Sequence, residues 1–181
     1  MECNSNDTMK FYLVGYMGCG KSTIGRKVAR RLGIPFYDTD SMVEQAVGAS
    51  VADIITFEGE ERFRRYEREA LEQTASLKRA VISTGGGLPM WGDNMLRLQE
   101  FGRAIYIRRS AEHIIERLSP YGRQRRPKLR GLSDKELLEF MRENMADRDP
   151  VYRTADFIFD ADIASDDTIV EGIADIIREY L

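Results

Sequence analysis

The chain has 181 residues, 43% hydrophobic and 31% charged, with both signs of charge spread along it and a net charge of −3. That length suits one complete hydrophobic core, and the composition excludes a disordered chain. An acidic balance gives no global field for nucleic acid, and no run nears the roughly 18 to 20 apolar residues of a membrane span, so neither is an expected partner.

Residues 1–8 read as a frayed polar start before a single domain over residues 9–181. The opening MECNSNDTMK has no apolar stretch of the signal-peptide kind. The cysteines are Cys3 and Cys19, too few for a disulfide framework. A cytoplasmic protein is expected. Lys10 to Val14 (KFYLV) is rich in strand formers and ends at Gly15. Ile24, Val28, Ala29 and Leu32 then recur at helical spacing until Gly33 and Pro35. A second strand over Pro35 to Tyr37 leads into Asp38 and Asp40, and helices follow over about 41–47, 51–58 and 60–77. A third strand, Arg79 to Ser83, runs into Thr84 and the triple glycine Gly85, Gly86 and Gly87.

Further on, a helix is expected over 94–100, a strand over 104–107 and a helix over 111–118. The stretch from Ser119 to Leu132 has no acidic residue and reads as a loop. Ser133 with Glu136 forms a capping box for a helix reaching about Arg148. A strand near 157–159 and a helix over 166–181 complete the chain. Strands alternating with helices predict parallel strands with helices on both faces, and ligands beyond the carboxyl ends of the strands.

The segment Gly15-Tyr16-Met17-Gly18-Cys19-Gly20-Lys21-Ser22 is a P-loop pattern: two glycines enclosing four residues, then Lys and Ser. Such glycines let successive amides point inward at the positive end of the following helix, so an anion fits without burying a protein charge. Lys21 can reach the outer phosphates of a nucleotide, and the Ser22 hydroxyl suits Mg²⁺. Asp38 and Asp40, one residue apart, leave the same side of an extended chain. One can hold waters of the Mg²⁺ shell and the other can take a proton from an attacking hydroxyl, although Asp40 could equally cap the next helix. Arg62, Arg64, Arg65 and Arg68 read first as a solvated helix face, with a carboxylate-binding fork as the alternative. Arg117, Arg123, Arg125, Arg126, Lys128 and Arg130 read as a lid over a triphosphate rather than a nucleic-acid surface. His113, with Ile114 and Ile115 beside it, reads as an ordinary helix-surface residue.

GYMGCGKST, FYDTD, FRRYE, STGGG, the Arg126-Pro127 pair and RDPVY, in this order and spacing, closely resemble the shikimate kinase family over about residues 10–160. The resemblance implies a three-layer α/β/α P-loop kinase with a five-stranded parallel sheet in order 2-3-1-4-5, a substrate-binding region at about 38–68 and a lid at about 119–132. It implies transfer of the γ-phosphoryl group of ATP to the 3-hydroxyl of shikimate, with Mg²⁺. Asp40 would then activate the hydroxyl, and Asp38 would belong to the Mg²⁺ surroundings with Ser22. Arg64 and Arg148 would clamp the shikimate carboxylate, Glu67 would hold Arg64, and Gly86 and Gly87 would contact substrate through their amides. Gly18, Cys19, Gly20, Lys21, Ser22 and Thr23 would bind ATP, with Arg126 at the phosphates and Arg117 packed on adenine. Where many relatives carry an arginine-containing adenine loop this chain has DADIASDD, so contacts there are expected from backbone or apolar groups. The residues leave room for a kinase of another hydroxy acid such as gluconate, and for an ATP-binding regulator without an acceptor. A monomer is expected.

Overall fold

The computed structural model describes residues 9–119, 129 and 131–181. Five strands, β1 (Lys10–Val14), β2 (Phe36–Asp38), β3 (Ala80–Ser83), β4 (Arg103–Arg108) and β5 (Phe157–Asp160), form one parallel sheet in the order β2-β3-β1-β4-β5. That is the expected three-layer architecture and strand order. The helices are α1 (Lys21–Leu32), α2 (Thr39–Val47), α3 (Val51–Glu58), α4 (Glu60–Thr74), α5 (Asn94–Phe101), α6 (Ala111–Arg117), α7 (Asp134–Tyr152) and α8 (Asp166–Glu179).

Every residue of β1 is buried, as a central strand covered on both faces requires. Its neighbours in sequence, Phe11 and Tyr12, point to opposite faces. Phe11 meets the Tyr180 ring just after α8 at 5.9 Å, and the Tyr12 hydroxyl bonds Thr74 at the end of α4 at 2.8 Å. One layer thus holds α1 and α8, and α4 covers the other. Gly25 allows the close approach of α1: a Cβ there would stand 2.7 Å from Phe36 and 2.9 Å from Leu13. Helices α2, α3 and α4 close around a separate small core of Val43, Ile54, Phe63 and Ala70. This second core fixes the helical region that overhangs the carboxyl ends of β2 and β3.

Some expected boundaries move. β2 is Phe36–Asp38 and α2 starts at Thr39, so Asp40 lies in the first turn of the helix and not in extended chain. The capping residue is Asp38, whose Oδ1 accepts from the Asp40 amide at 3.1 Å. α7 runs past the expected stop at Arg148 to Tyr152 with Pro150 inside its last turn. α4 stops three residues early, at Thr74, where the Thr74 hydroxyl bonds back to the Leu71 carbonyl at 2.6 Å. A 3-10 turn over Leu88–Met90, not expected from the sequence, follows the triple glycine. Residues 1–8 and most of the segment predicted as a lid, including Arg123, Arg125, Arg126, Lys128 and Arg130, lie outside the described residues.

Candidate active site

The neighbouring strands β1 and β3 send their connections in opposite directions, β1 outward to β2 and β3 across to β4, and this is the switch point at which such sheets open a crevice beyond the carboxyl ends of the strands. The P-loop leaves β1 there. Gly15, Gly18 and Gly20 take φ values of +142°, +82° and +108°, a region that side chains disfavour, so the curl depends on those three glycines. The Lys21 side chain folds back over the loop and donates to the carbonyls of Gly15 (2.8 Å) and Tyr16 (3.0 Å). Cys19 is buried beside it, with Sγ 3.8 Å from the Lys21 amine.

Just past Lys21, Ser22 donates to Asp38 Oδ2 at 2.7 Å and lies 3.1 Å from the Ser83 hydroxyl. Three oxygens from α1, β2 and β3 meet at one point beside the P-loop. Hard oxygen donors of this kind suit Mg²⁺, which takes few protein ligands and completes its shell with water and phosphate. Among the described residues no cluster of His, Cys, Asp and Glu offers a protein-only metal cage.

The start of α2 sets Asp38 and Asp40 facing different partners. Asp38 faces Ser22, whereas Asp40 turns toward Gly85: a Cβ on Gly85 would meet Asp40 Oδ1 at 2.6 Å and would collide with Glu67 Oε1 from the other side. Asp40 Oδ1 is shielded from solvent and has no hydrogen-bond partner. Burial, reinforced by Asp38 and opposed by Lys21, pushes the Asp40 carboxyl up to about 6. An unpartnered carboxylate oxygen in a cleft is costly for the fold and available to a hydroxyl. Thr39, fully buried, accepts from the Gly85 amide at 2.9 Å, and the Thr84 hydroxyl donates to the Leu13 carbonyl at 3.0 Å, which ties the three strand ends together.

Of the arginines on α4, Arg62, Arg65 and Arg68 make exposed or half-exposed ion pairs with Glu58, Glu61 and Glu72, the solvated-face arrangement. Arg64 differs. It is ion-paired to Glu67, which is 1% exposed, and donates to Glu60 at 2.9 Å. Burial pushes the Glu67 carboxyl up to about 7 against the pull of Arg64, with Asp40 adding to the rise. A Cβ on Gly87 would run into the Arg64 guanidinium, so glycine there lets the fork reach the backbone of the triple-glycine turn. Gly86 packs on the P-loop, its Cβ position 3.2 Å from the Met17 nitrogen, and its carbonyl accepts from the Tyr152 hydroxyl. From α7, Arg148 stands 5.3 Å from the centre of the Tyr16 ring. The P-loop, the triple glycine, α4 and α7 therefore meet at one place beyond the strand ends. Tyr16 and Tyr152 were not singled out from the sequence; their signal was only an aromatic next to a glycine motif and one in RDPVY.

Arg117, the last residue of α6, is half-exposed and bonds Asp166 at 2.5 Å. In the DADIASDD loop, Ile163 is 87% exposed, while Asp162 accepts from the Ser110 amide (3.0 Å) and pairs with His113 Nδ1 at 2.7 Å. His113 is thus on the surface, as expected, but engaged by Asp162, which draws its pKa upward.

A parallel α/β sheet with a P-loop at its switch point and buried carboxylate and guanidinium groups across the crevice defines a P-loop phosphotransferase. Residues 17–178 match the family described as shikimate kinase. A shikimate kinase of Bacteroides thetaiotaomicron is 36% identical over 173 residues, covering 96% of this chain and 98% of the relative. One from Caldanaerobacter subterraneus is 40% identical over 169 residues, covering 93% of this chain and 94% of that relative. The structure of a shikimate kinase from Acinetobacter baumannii in complex with shikimate superposes with a TM-score of 0.86 at 31% identity, over 96% of this chain and 95% of that one. The chain belongs to the shikimate kinase family and is an ATP-dependent kinase. No described helix is long and apolar enough to cross a membrane.

Proposed function

We propose that this chain transfers the γ-phosphoryl group of ATP to the 3-hydroxyl of shikimate, with Asp40 as the group that receives the hydroxyl proton. The observation that carries the reading is the Asp40 Oδ1 atom, buried without a partner beside Gly85 and close to the Arg64–Glu67 pair. A carboxylate needs to be ionised yet basic to orient an alcohol, and burial supplies that basicity. Arg64 and Arg148 fit the acceptor carboxylate, a charge that a planar guanidinium binds in two parallel bonds. Gly86 and Gly87 would contact the acceptor through their amides, since neither carries a side chain of its own to stand in the way. Gly18, Cys19, Gly20, Lys21, Ser22 and Thr23 cradle the phosphates, Arg126 meets the transferring group, and Arg117 packs on the adenine.

Mg²⁺ would be held by Ser22 and, through water, by Asp38; it supplies charge neutralisation at the phosphates. Lys21 exchanges its two loop carbonyls for phosphate oxygens, and the buried surroundings keep water from competing as acceptor. Residues 9–181 act as one unit in which about 38–68 grips the acceptor and about 119–132 closes as a lid. The chain works as a cytoplasmic monomer. A coupled assay of ADP release with shikimate, gluconate or no acceptor tests the proposal. Turnover is expected with shikimate alone; equal ADP release without acceptor would identify a regulator that hydrolyses ATP instead.

A further inference from the structure

Arg109 is the first residue after β4 and is 2% exposed, which is rare for an arginine. Along β4 the side chains alternate, so Tyr106 faces α7, whose Asp149 its hydroxyl bonds at 2.9 Å, while Arg109 reaches the opposite layer and donates through Nη2 to Asp166 of α8 at 2.8 Å. Its Nε and Nη1 are buried with no acceptor. A buried guanidinium so incompletely matched costs stability, and an apolar residue would fill the place with less strain on the fold. What the arginine does secure is Asp166.

Asp166 uses its two oxygens on two different arginines: Oδ1 on the buried Arg109, and Oδ2 on Arg117 at the end of α6, 2.5 Å away. Burial opposes its charge, yet the two guanidinium groups outweigh that and hold the carboxyl below the ordinary aspartate range. Asp166 is not needed as a helix cap, because the Ser165 side chain caps α8 by accepting from the Thr168 amide. Nor is it needed as the acid of the first turn, since the neighbouring Asp167 supplies one. The loop before it is fixed independently: the Ala161 amide bonds the Arg108 carbonyl at 2.8 Å, and Asp162 grips Ser110 and His113. Beyond pairing with the buried Arg109, the carboxylate serves neither the cap nor the loop, and its second oxygen is spent on orienting Arg117.

We propose that Asp166, anchored by the buried Arg109, is a positioning residue for the nucleotide base: it holds the Arg117 guanidinium at the mouth of the DADIASDD loop before ATP arrives. The proposal rests on the reading that Arg117 packs on adenine. An arginine carries large rotamer freedom, and ordering it beforehand removes a cost that ATP binding would otherwise bear.

The test is a double-mutant cycle of Asp166→Ala, Arg117→Ala and the pair, read by KM for ATP, kcat, KM for shikimate, calorimetric ATP affinity and Tm. Asp166→Ala is expected to raise KM and Kd for ATP about fivefold to tenfold, with kcat and KM for shikimate within about twofold. In the Arg117→Ala background the same change should add nothing. Asp166→Asn keeps the shape and one hydrogen-bonding oxygen and should give a smaller rise in the same direction, so a fold-damaged alanine variant does not decide the matter. Arg117→Ala weakening ATP while both Asp166 variants leave it unchanged, or bind it tighter, overturns the positioning role alone. Arg117→Ala without effect on ATP overturns the adenine reading and the proposal with it. A fall in Tm with kcat and both KM values worsened together overturns the proposal in favour of a plain structural tie.

Discussion

The two ends of the crevice are built differently. At the end proposed for phosphoryl transfer the groups are buried or shielded: Lys21 is 7% exposed, Glu67 1%, and Asp40 Oδ1 has no contact with solvent. At the end proposed for the nucleotide base, Arg117 is half-exposed and its partner Asp166 only partly covered. Charges in a dry, preorganised setting act strongly on a developing transition state, whereas solvent screens those at the rim. The first end should therefore govern kcat and the second only affinity for the nucleotide.

The sharpest way to break this contrast is Lys21→Ala, expected to lower kcat/KM about 10⁴-fold in a steady-state assay. A loss confined to KM for ATP would place Lys21 with the base-end groups. Asp40→Asn should lower kcat about 10³-fold while calorimetric ATP affinity stays within about twofold. The same variant has a stability signature. The folded-state pKa of Asp40 is raised from 3.8 to about 6, so the folded protein holds a proton that the unfolded chain has released between those values. The stability it contributes is present below pH 4 and is lost as pH rises toward 6, a penalty on the order of 3 kcal/mol or less. Asp40→Asn should accordingly be more stable than the parent at pH 8, with the gain vanishing near pH 4, in urea titrations at the two pH values. Next in size, Arg64→Ala should raise KM for shikimate about 30-fold and leave KM for ATP unaltered. The smallest effect belongs to Asp166→Ala at the base end.

Much of the site was legible because its parts are short motifs at strand ends. The P-loop announces itself by glycine spacing, and three of its glycines do take positive φ. The separation of Asp38 from Asp40 was not legible. Both stand at the end of a strand, and only the hydrogen bond that the Asp40 amide donates to Asp38 shows that the helix starts between them and turns the second carboxylate toward Glu67. The residue pattern alone did not tell Arg64 from Arg62 and Arg65, since all three have a glutamate four residues earlier, and only the family resemblance singled it out. What sets it apart is that Gly87 and Glu67 stand on its face of the helix. The reach of α7 past Pro150 was missed because proline usually marks a stop. Here it sits in the last turn, and the continuation delivers Tyr152 to the Gly86 carbonyl. Contacts across the fold, such as Arg109 with Asp166, have no local signal at all.

If burial turns Asp40 into the base for the acceptor hydroxyl, the pH dependence of kcat/KM for shikimate carries its titration. The parent enzyme should gain activity with rising pH through an acid limb near 6, the value burial gives Asp40, and the residual activity of Asp40→Asn should be level across that range. An acid limb at the same pH in Asp40→Asn would mean that another group is the base.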